Sequence, residues 1–319
     1  MIRILALLTI MFTQFSSCAS KNQPVLGSTT ITAEALINLI NAGENVYAEN
    51  KVIEGDIDFT KLKNANLESK FVHRANLTSS LTFINCIFNG KVIGYSANDS
   101  ITKVVTFMKN ISCIECDFKE EVTLRENNFY GIANFAGSTF HKKTSFEGSN
   151  FFSEGAFSKT GFTDEARFQN TYFHNKVNFI ESTFGKTISF QGANFMGDAQ
   201  FSVTKYWGYA DFSVCTFSSG VFFNYAEFSK QAIFNNTAFK GRVEFLKSVF
   251  SSNTEFKNCI FYNLSKFNES TIGNTFNLQN SVFIYAKPDM SKIIKTDTTK
   301  LILENTRTTS LQPFTEQDF

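Results

Sequence analysis

The sequence predicts an all-β solenoid, a chain wound in short extended sides around a narrow apolar interior. Three observations carry that reading. Phe recurs at alternating steps of five and six residues over most of the chain. The residue two before each of these Phe is nearly always small or β-branched. The composition also favours Phe, Asn, Ser and Thr over the Ala, Leu and Glu of helical bundles. The 319 residues include 39 Phe, 17 Gly and only 3 Pro.

The rhythm is plain in ANFAGSTFHKKTSFEGSNF (133–151), with Phe at 135, 140, 146 and 151. It holds from Phe118 to Phe267 and returns at Phe283, and its vacant beats carry Leu124, Tyr206, Ile272 and Leu278. Internal repeats of this kind are settled before local elements are assigned. A helix is excluded, because a step of five turns the side chain by about 140° and moves alternate rings off any seam. A flat strand is excluded too, because an odd step carries the ring to the opposite face. A chain that turns a corner between successive Phe keeps every ring inside. Ala133, Ser138, Thr144, Ser149, Gly155 and Thr160 each lie two before a ring and share its face, so large and small groups alternate inward.

ANL at 65–67 and 75–77, ANF at 133–135 and 193–195, and ADF at 210–212 complete the pattern. With them the chain resembles the pentapeptide-repeat proteins in an eleven-residue variety. The resemblance covers roughly residues 60–283. It implies a right-handed quadrilateral β-helix of about 22 residues per coil, each ring stacking on those one coil away. The stretch 118–283 then makes about seven and a half coils, ~36 Å at the rung spacing of parallel strands.

The remaining segments are read around this core. TAEALINLINAG gives a helix over 32–43, with Ala35, Leu36, Leu39 and Ile40 on its apolar face and Gly43 at its end. Together with the first strands it forms an N-terminal cap over 31–60, since a solenoid end left open invites edge pairing. Repeats are expected over 61–283, interrupted by a projecting insertion at 89–106. Residues 284–319 read as a C-terminal cap or tail without repeat.

The N-terminus reads as an export signal over 1–17: a basic start, MIR, then the apolar run ILALLTIMFTQF. FSSC resembles a lipoprotein lipobox, with Phe15 where Leu is usual. The resemblance implies a lipid on Cys18, a tether over 18–30 and, with Ala19 next, an outer-membrane lipoprotein facing the periplasm or the surface. An ordinary signal peptide cut near Ser17 or Ala19 is the other reading. No later stretch is long and apolar enough for a membrane-spanning helix, so membrane contact is expected through the N-terminal lipid alone.

The formal charge is +1, and removing residues 1–17 takes away Arg3 and no acid, leaving 29 basic and 29 acidic side chains. Such a balance gives no argument for nucleic-acid binding. It also contradicts the DNA-mimic topoisomerase inhibitors of the resembling family, which need a strongly acidic surface.

No constellation of catalytic or metal-ligating residues stands out. His73, His141 and His174 are scattered. Outward columns taken every 22 residues show no recurring carboxylates, so no enzyme, metal or cofactor is expected. CIEC (113–116) falls on the repeat register: Cys113 takes a ring position, and Cys86, Cys116, Cys215 and Cys259 each lie two before a Phe. They are therefore expected in the core as small hydrophobes. One outward column is apolar: Met108, Tyr130, Phe152, His174 and Met196. Either the insertion or the tail covers it, or it is a partner surface. Tyr206, Trp207 and Tyr209 form a candidate aromatic platform for sugar.

These readings point to a non-enzymatic interaction scaffold of the cell envelope, with an envelope protein or a glycan as partner. A homodimer through a solenoid end and a glycan-binding or glycan-active β-helix are the alternatives.

Overall fold

A computed structural model describes residues 28–98 and 100–309. The expected export signal, Cys18 and most of the expected tether lie outside the described residues. The chain winds into a four-sided parallel solenoid. In coil order, the first wall runs from Val46–Glu49 to Ser265–Lys266 and the second from Thr30–Thr32 to Ile294–Lys295. The third runs from Ile57–Asp58 to Lys300–Ile302 and the fourth from Ala65–Ser69 to Arg307–Thr308. Successive coils pair in parallel register, as Phe129 with Phe151 and Phe151 with Phe173.

The rings fill the prism. Each wall carries its own ladder, as Phe157–Phe179 at 4.8 Å and 7°. Rings of the first and third walls also interleave edge-to-face, Phe168 meeting Phe157 at 5.5 Å and 88° and Phe179 at 5.4 Å and 89°. Both geometries suit the ring quadrupole. Tyr206 sits in the second-wall ladder, 5.3 Å from Phe184 and 4.5 Å from Phe228.

The alternation of five and six has a backbone cause. The five-residue corners, first to second wall and third to fourth, each contain one residue with positive φ. These fall on every eleventh residue from Glu115 through Gly137, Gly148 and Asn170 to Asn280. From Glu115 on, the six-residue corners contain none; the first coil departs from this with Gly55 at φ 88 between Ile53 and Phe59. A left-handed residue tightens the turn by one position, and Gly and Asn are its least strained occupants.

The small residue that follows each left-handed corner does more than fill space. Ser149 Oγ donates to the Leu124 carbonyl at 2.6 Å and accepts the Asn127 N–H at 3.1 Å. Thr160, Thr171, Ser182, Thr204, Thr237 and Ser248 repeat the donation to a carbonyl 25 residues back. The cysteines at this position join the same ladder. Cys215 Sγ donates to Phe190 at 3.0 Å, and Cys259 Sγ to Phe234 at 2.9 Å. They are thus hydrogen-bonding members of a polar seam, not inert apolar filler.

At the N-terminal end helix α1 spans Ala33–Asn41. The Thr32 hydroxyl accepts the Ala35 N–H at 3.2 Å as N-cap, and Gly43 follows the helix at φ 80. Its buried face is Ala33, Leu36 and Ile40, with Ala35 turned to solvent. The expected face was one position off at its start because Thr32 caps the helix rather than entering it.

The insertion is shorter than 89–106. Val92–Ile93 is an ordinary third-wall rung, pairing with Ile57–Asp58 and Val122–Thr123. The surplus is an antiparallel hairpin, Tyr95–Ala97 against Thr102–Val104. A second hairpin joins Ala65–Ser69 to Val72–Leu77. The ANL at 65–67 is therefore not a repeat beat, and its Leu67 is 67% exposed. The tail is also corrected. Ile294–Lys295, Lys300–Ile302 and Arg307–Thr308 pair with Thr271–Ile272, Thr275–Asn277 and Val282–Phe283, so 284–309 make one further coil. Its steps of 23 and 25 residues hid it from a count of 22.

Candidate functional site

The apolar column stands on the six-residue corner between the fourth and first walls. Each member follows an interior ring, and its N–H is held by the ring residue one coil back: Tyr130 by Phe107, Phe152 by Phe129, His174 by Phe151 and Met196 by Phe173, all at 2.9 Å. The side chains therefore stack outside as the rings do inside. Tyr130 and Phe152 lie 4.5 Å apart at 11°, and Phe152 and His174 lie 4.5 Å apart at 13°. Met108 (45%), Tyr130 (48%) and Met196 (48%) are exposed at the ends and upper face of the column. Tyr172 approaches His174 at 6.1 Å and widens it.

Neither expected cover lies on it among the described residues. The hairpin enters the fourth wall from its other edge, where Arg125 of the third wall packs over the Tyr95 ring at 4.7 Å. The terminal coil continues the stack and places Ile284 one position after Phe283.

A polar groove of about 400 Å³ runs beside the column. Lys176 bridges to Glu154 at 3.1 Å, while Asp198 accepts the Ser219 hydroxyl at 2.5 Å and the Gly220 N–H at 3.0 Å. On the other flank, Asn150 donates to Asn128 at 3.0 Å, and the His174 ring reaches Asn150 at 3.4 Å. The ring faces are spent on one another, so the column offers an edge-on apolar ridge rather than a platform for flat ligands.

The aromatic triplet does not act as one surface. Tyr206 is fully buried, because its register makes it a core ring. Trp207 and Tyr209 remain outside, at 56% and 55% exposure.

The hydrogen bond with Cys116 lowers the Cys86 thiol to about 7, and the other cysteines move the opposite way. Burial raises the Cys113 and Cys215 thiols and pushes Cys259 up to about 12. Cys116 is raised by its hydrogen bond to Cys86 and by burial. Buried thiols held protonated are poor nucleophiles. His141 pairs with Asp117 at 2.6 Å on the second wall. Among the described residues no group of three or more His, Cys, Asp or Glu is arranged to hold a metal ion. No described helix is long and apolar enough to cross a membrane.

The hydroxyl seam and the left-handed corners were missed by sequence reasoning. The seam was visible as Ser, Thr or Cys at most of the positions spaced eleven apart from Cys116 to Ser281, broken by Asn127, Ala193 and Ala226, where the alternate positions are mostly Ala and Val.

No curated protein and no solved structure matches the chain. Residues 157–205 match the family model described as pentapeptide repeats (9 copies). The coils on both sides of that segment keep the same wall order, ring ladders and parallel register; the chain is a pentapeptide-repeat protein.

Proposed function

We propose that this protein is a non-enzymatic interaction scaffold of the bacterial cell envelope. In this reading it is an outer-membrane lipoprotein held by a lipid on Cys18, and it binds an envelope protein along the column Met108, Tyr130, Phe152, His174 and Met196. The observation that carries the reading is the column itself. Over five successive coils Met108, Tyr130 and Met196 are exposed, and the half-buried Phe152 and His174 stack in line with Tyr130. Exposed apolar strips rimmed by polar residues are typical of interaction surfaces. The solenoid fits a scaffold: its regular walls carry mixed polar side chains. An extended wall of this kind suits partners longer than a pocket ligand.

Crosslinking in intact cells followed by mass spectrometry tests this. A partner captured by the wild type, and lost in Tyr130→Ser and Phe152→Ser variants of unchanged thermal stability, supports the ridge. A fall in stability with no change in capture means that the column serves the fold alone. A Cys18→Ala variant separates the anchor from the ridge: it should release the protein from the membrane fraction and leave partner binding intact in detergent extracts.

A further inference from the structure

Trp207 is the single tryptophan of the chain. It occupies the second-to-third-wall corner at the position the ridge occupies on its own corner, one residue after an interior ring. Its N–H donates to the Phe184 carbonyl at 2.9 Å, which fixes it one rung from Gly185. The column there reads Thr163, Gly185, Trp207, Ser229. Neither rung neighbour can cover an indole, and no ring stacks on Trp207 among the described residues. This reverses the situation of Phe152, whose faces are closed by Tyr130 and His174.

The gap beside Trp207 is enforced by the backbone. A Cβ on Gly185 would lie 2.9 Å from the Thr163 carbonyl oxygen and 3.3 Å from that of Phe162. A Cβ on Gly208 would meet the Lys186 carbonyl oxygen at 2.3 Å. The Gly185 rung therefore carries no side chain, leaving about one rung of height, ~4.8 Å, against the indole. That accommodates a ring in van der Waals contact at ~3.5–4.0 Å. The rim is polar. Lys186 Nζ pairs with Asp164 Oδ1 at 3.0 Å, each one residue past the column, and the exposed phenol of Tyr209 stands two residues beyond Trp207.

An open aromatic face with a cation, a carboxylate and a phenol at its edge matches one ligand chemistry. The axial C–H bonds of a pyranose pack on the electron-rich face, while its equatorial hydroxyls take charge-assisted hydrogen bonds from the rim. We infer that Trp207 and Tyr209, with Asp164 and Lys186, bind a neutral β-linked saccharide, one pyranose lying on the Trp207 face over Gly185. A protein partner fits less well. The patch holds only two exposed aromatics, set among Thr, Ser and Lys, where protein interfaces are built around a larger apolar centre.

The lone tryptophan reports on the site directly. The full chain is titrated with chitotriose and, separately, cellotriose while tryptophan emission is followed. A saturable shift with either sugar is expected. Calorimetry should show it lost in Trp207→Ala and weakened at least about tenfold in Asp164→Asn and Tyr209→Ala, in line with removing a charge-assisted hydrogen bond or a stacking partner. Tyr130→Ser and Phe152→Ser should bind sugar like the wild type, so failure of the ridge and failure of this site read out separately. No emission change with either sugar, or a change that persists unaltered in Asp164→Asn and Tyr209→Ala, overturns the assignment. Unchanged circular dichroism of each variant keeps unfolding out of the comparison.

Discussion

Ser149 Oγ donates to the carbonyl of Leu124, 25 residues earlier, at 2.6 Å. The same oxygen accepts the Asn127 N–H at 3.1 Å. One hydroxyl thus satisfies two backbone groups that the corner leaves without a rung partner inside a buried seam. Ser149→Ala strands both and should cost ~1–3 kcal/mol. Ser149→Cys should cost less, because Cys215 and Cys259 already make the equivalent donation. Denaturant midpoints of the two variants decide it. Equal losses would mean that the seam fills volume and its hydrogen bonds contribute nothing.

Phe179 packs on Phe157 and Phe201 along its wall and edge-on to Phe168 and Phe190 across the prism. Phe179→Ala empties a site that rigid coils above and below cannot close, and should cost ~3–5 kcal/mol. Stability in a solenoid is carried by nearest-neighbour interfaces. The loss of amide protection should therefore centre on the coils holding Phe157 and Phe201 and fade toward Phe118 and Phe267. Hydrogen exchange read by mass spectrometry tests this; uniform loss along the chain would point to a single global unit.

The ring positions were legible because burial inside a narrow prism tolerates almost nothing but a large apolar group, so every beat from Leu124 to Phe267 had to declare itself. The column at Met108–Met196 was legible by the same count, since register alone puts those residues outside. Tyr206 was grouped with Trp207 and Tyr209 as a sugar platform because the three aromatics are neighbours in sequence, although its beat places it inside. The left-handed corners were hidden because they face solvent. Glu115, Lys159 and Tyr225 take positive φ at these corners as Gly137 does, so composition there carries little signal. The terminal coil was hidden because its steps lengthen and its interior thins to Met290, Ile293 and Leu301.

Val203, Val214 and Tyr225 hold φ of 60, 59 and 60 at three successive left-handed corners. A β-branched residue is strained there, by about 1–2 kcal/mol. Asn170, Asn236 and Asn258 occupy the same corner type as Val214. Val214 is 53% exposed, so little packing is lost on replacement. Val214→Asn should stabilise the protein by ~1 kcal/mol. Thermal unfolding measures it, and a lower midpoint would show that the exposed Val side chain contributes more than its backbone strain costs.

The Tyr206 hydroxyl is buried and has no hydrogen-bond partner, the neighbouring Thr204 hydroxyl being committed to the Phe179 carbonyl. Tyr206→Phe removes an unsatisfied polar group and keeps the ring between Phe184 and Phe228. It should stabilise the fold by ~1 kcal/mol at neutral pH. The pH dependence is a second signature. Burial raises the Tyr206 phenol well above its ordinary 10.0, so the folded state keeps a proton that the unfolded chain releases. That part of the stability is fully present below pH 10 and is lost as the pH rises further, because ionisation then favours the unfolded chain. Urea unfolding at pH 7 and above pH 10 should therefore show the gap between Tyr206→Phe and the wild type widening in alkali. A constant gap would mean that the phenol is solvated or hydrogen-bonded in the folded state.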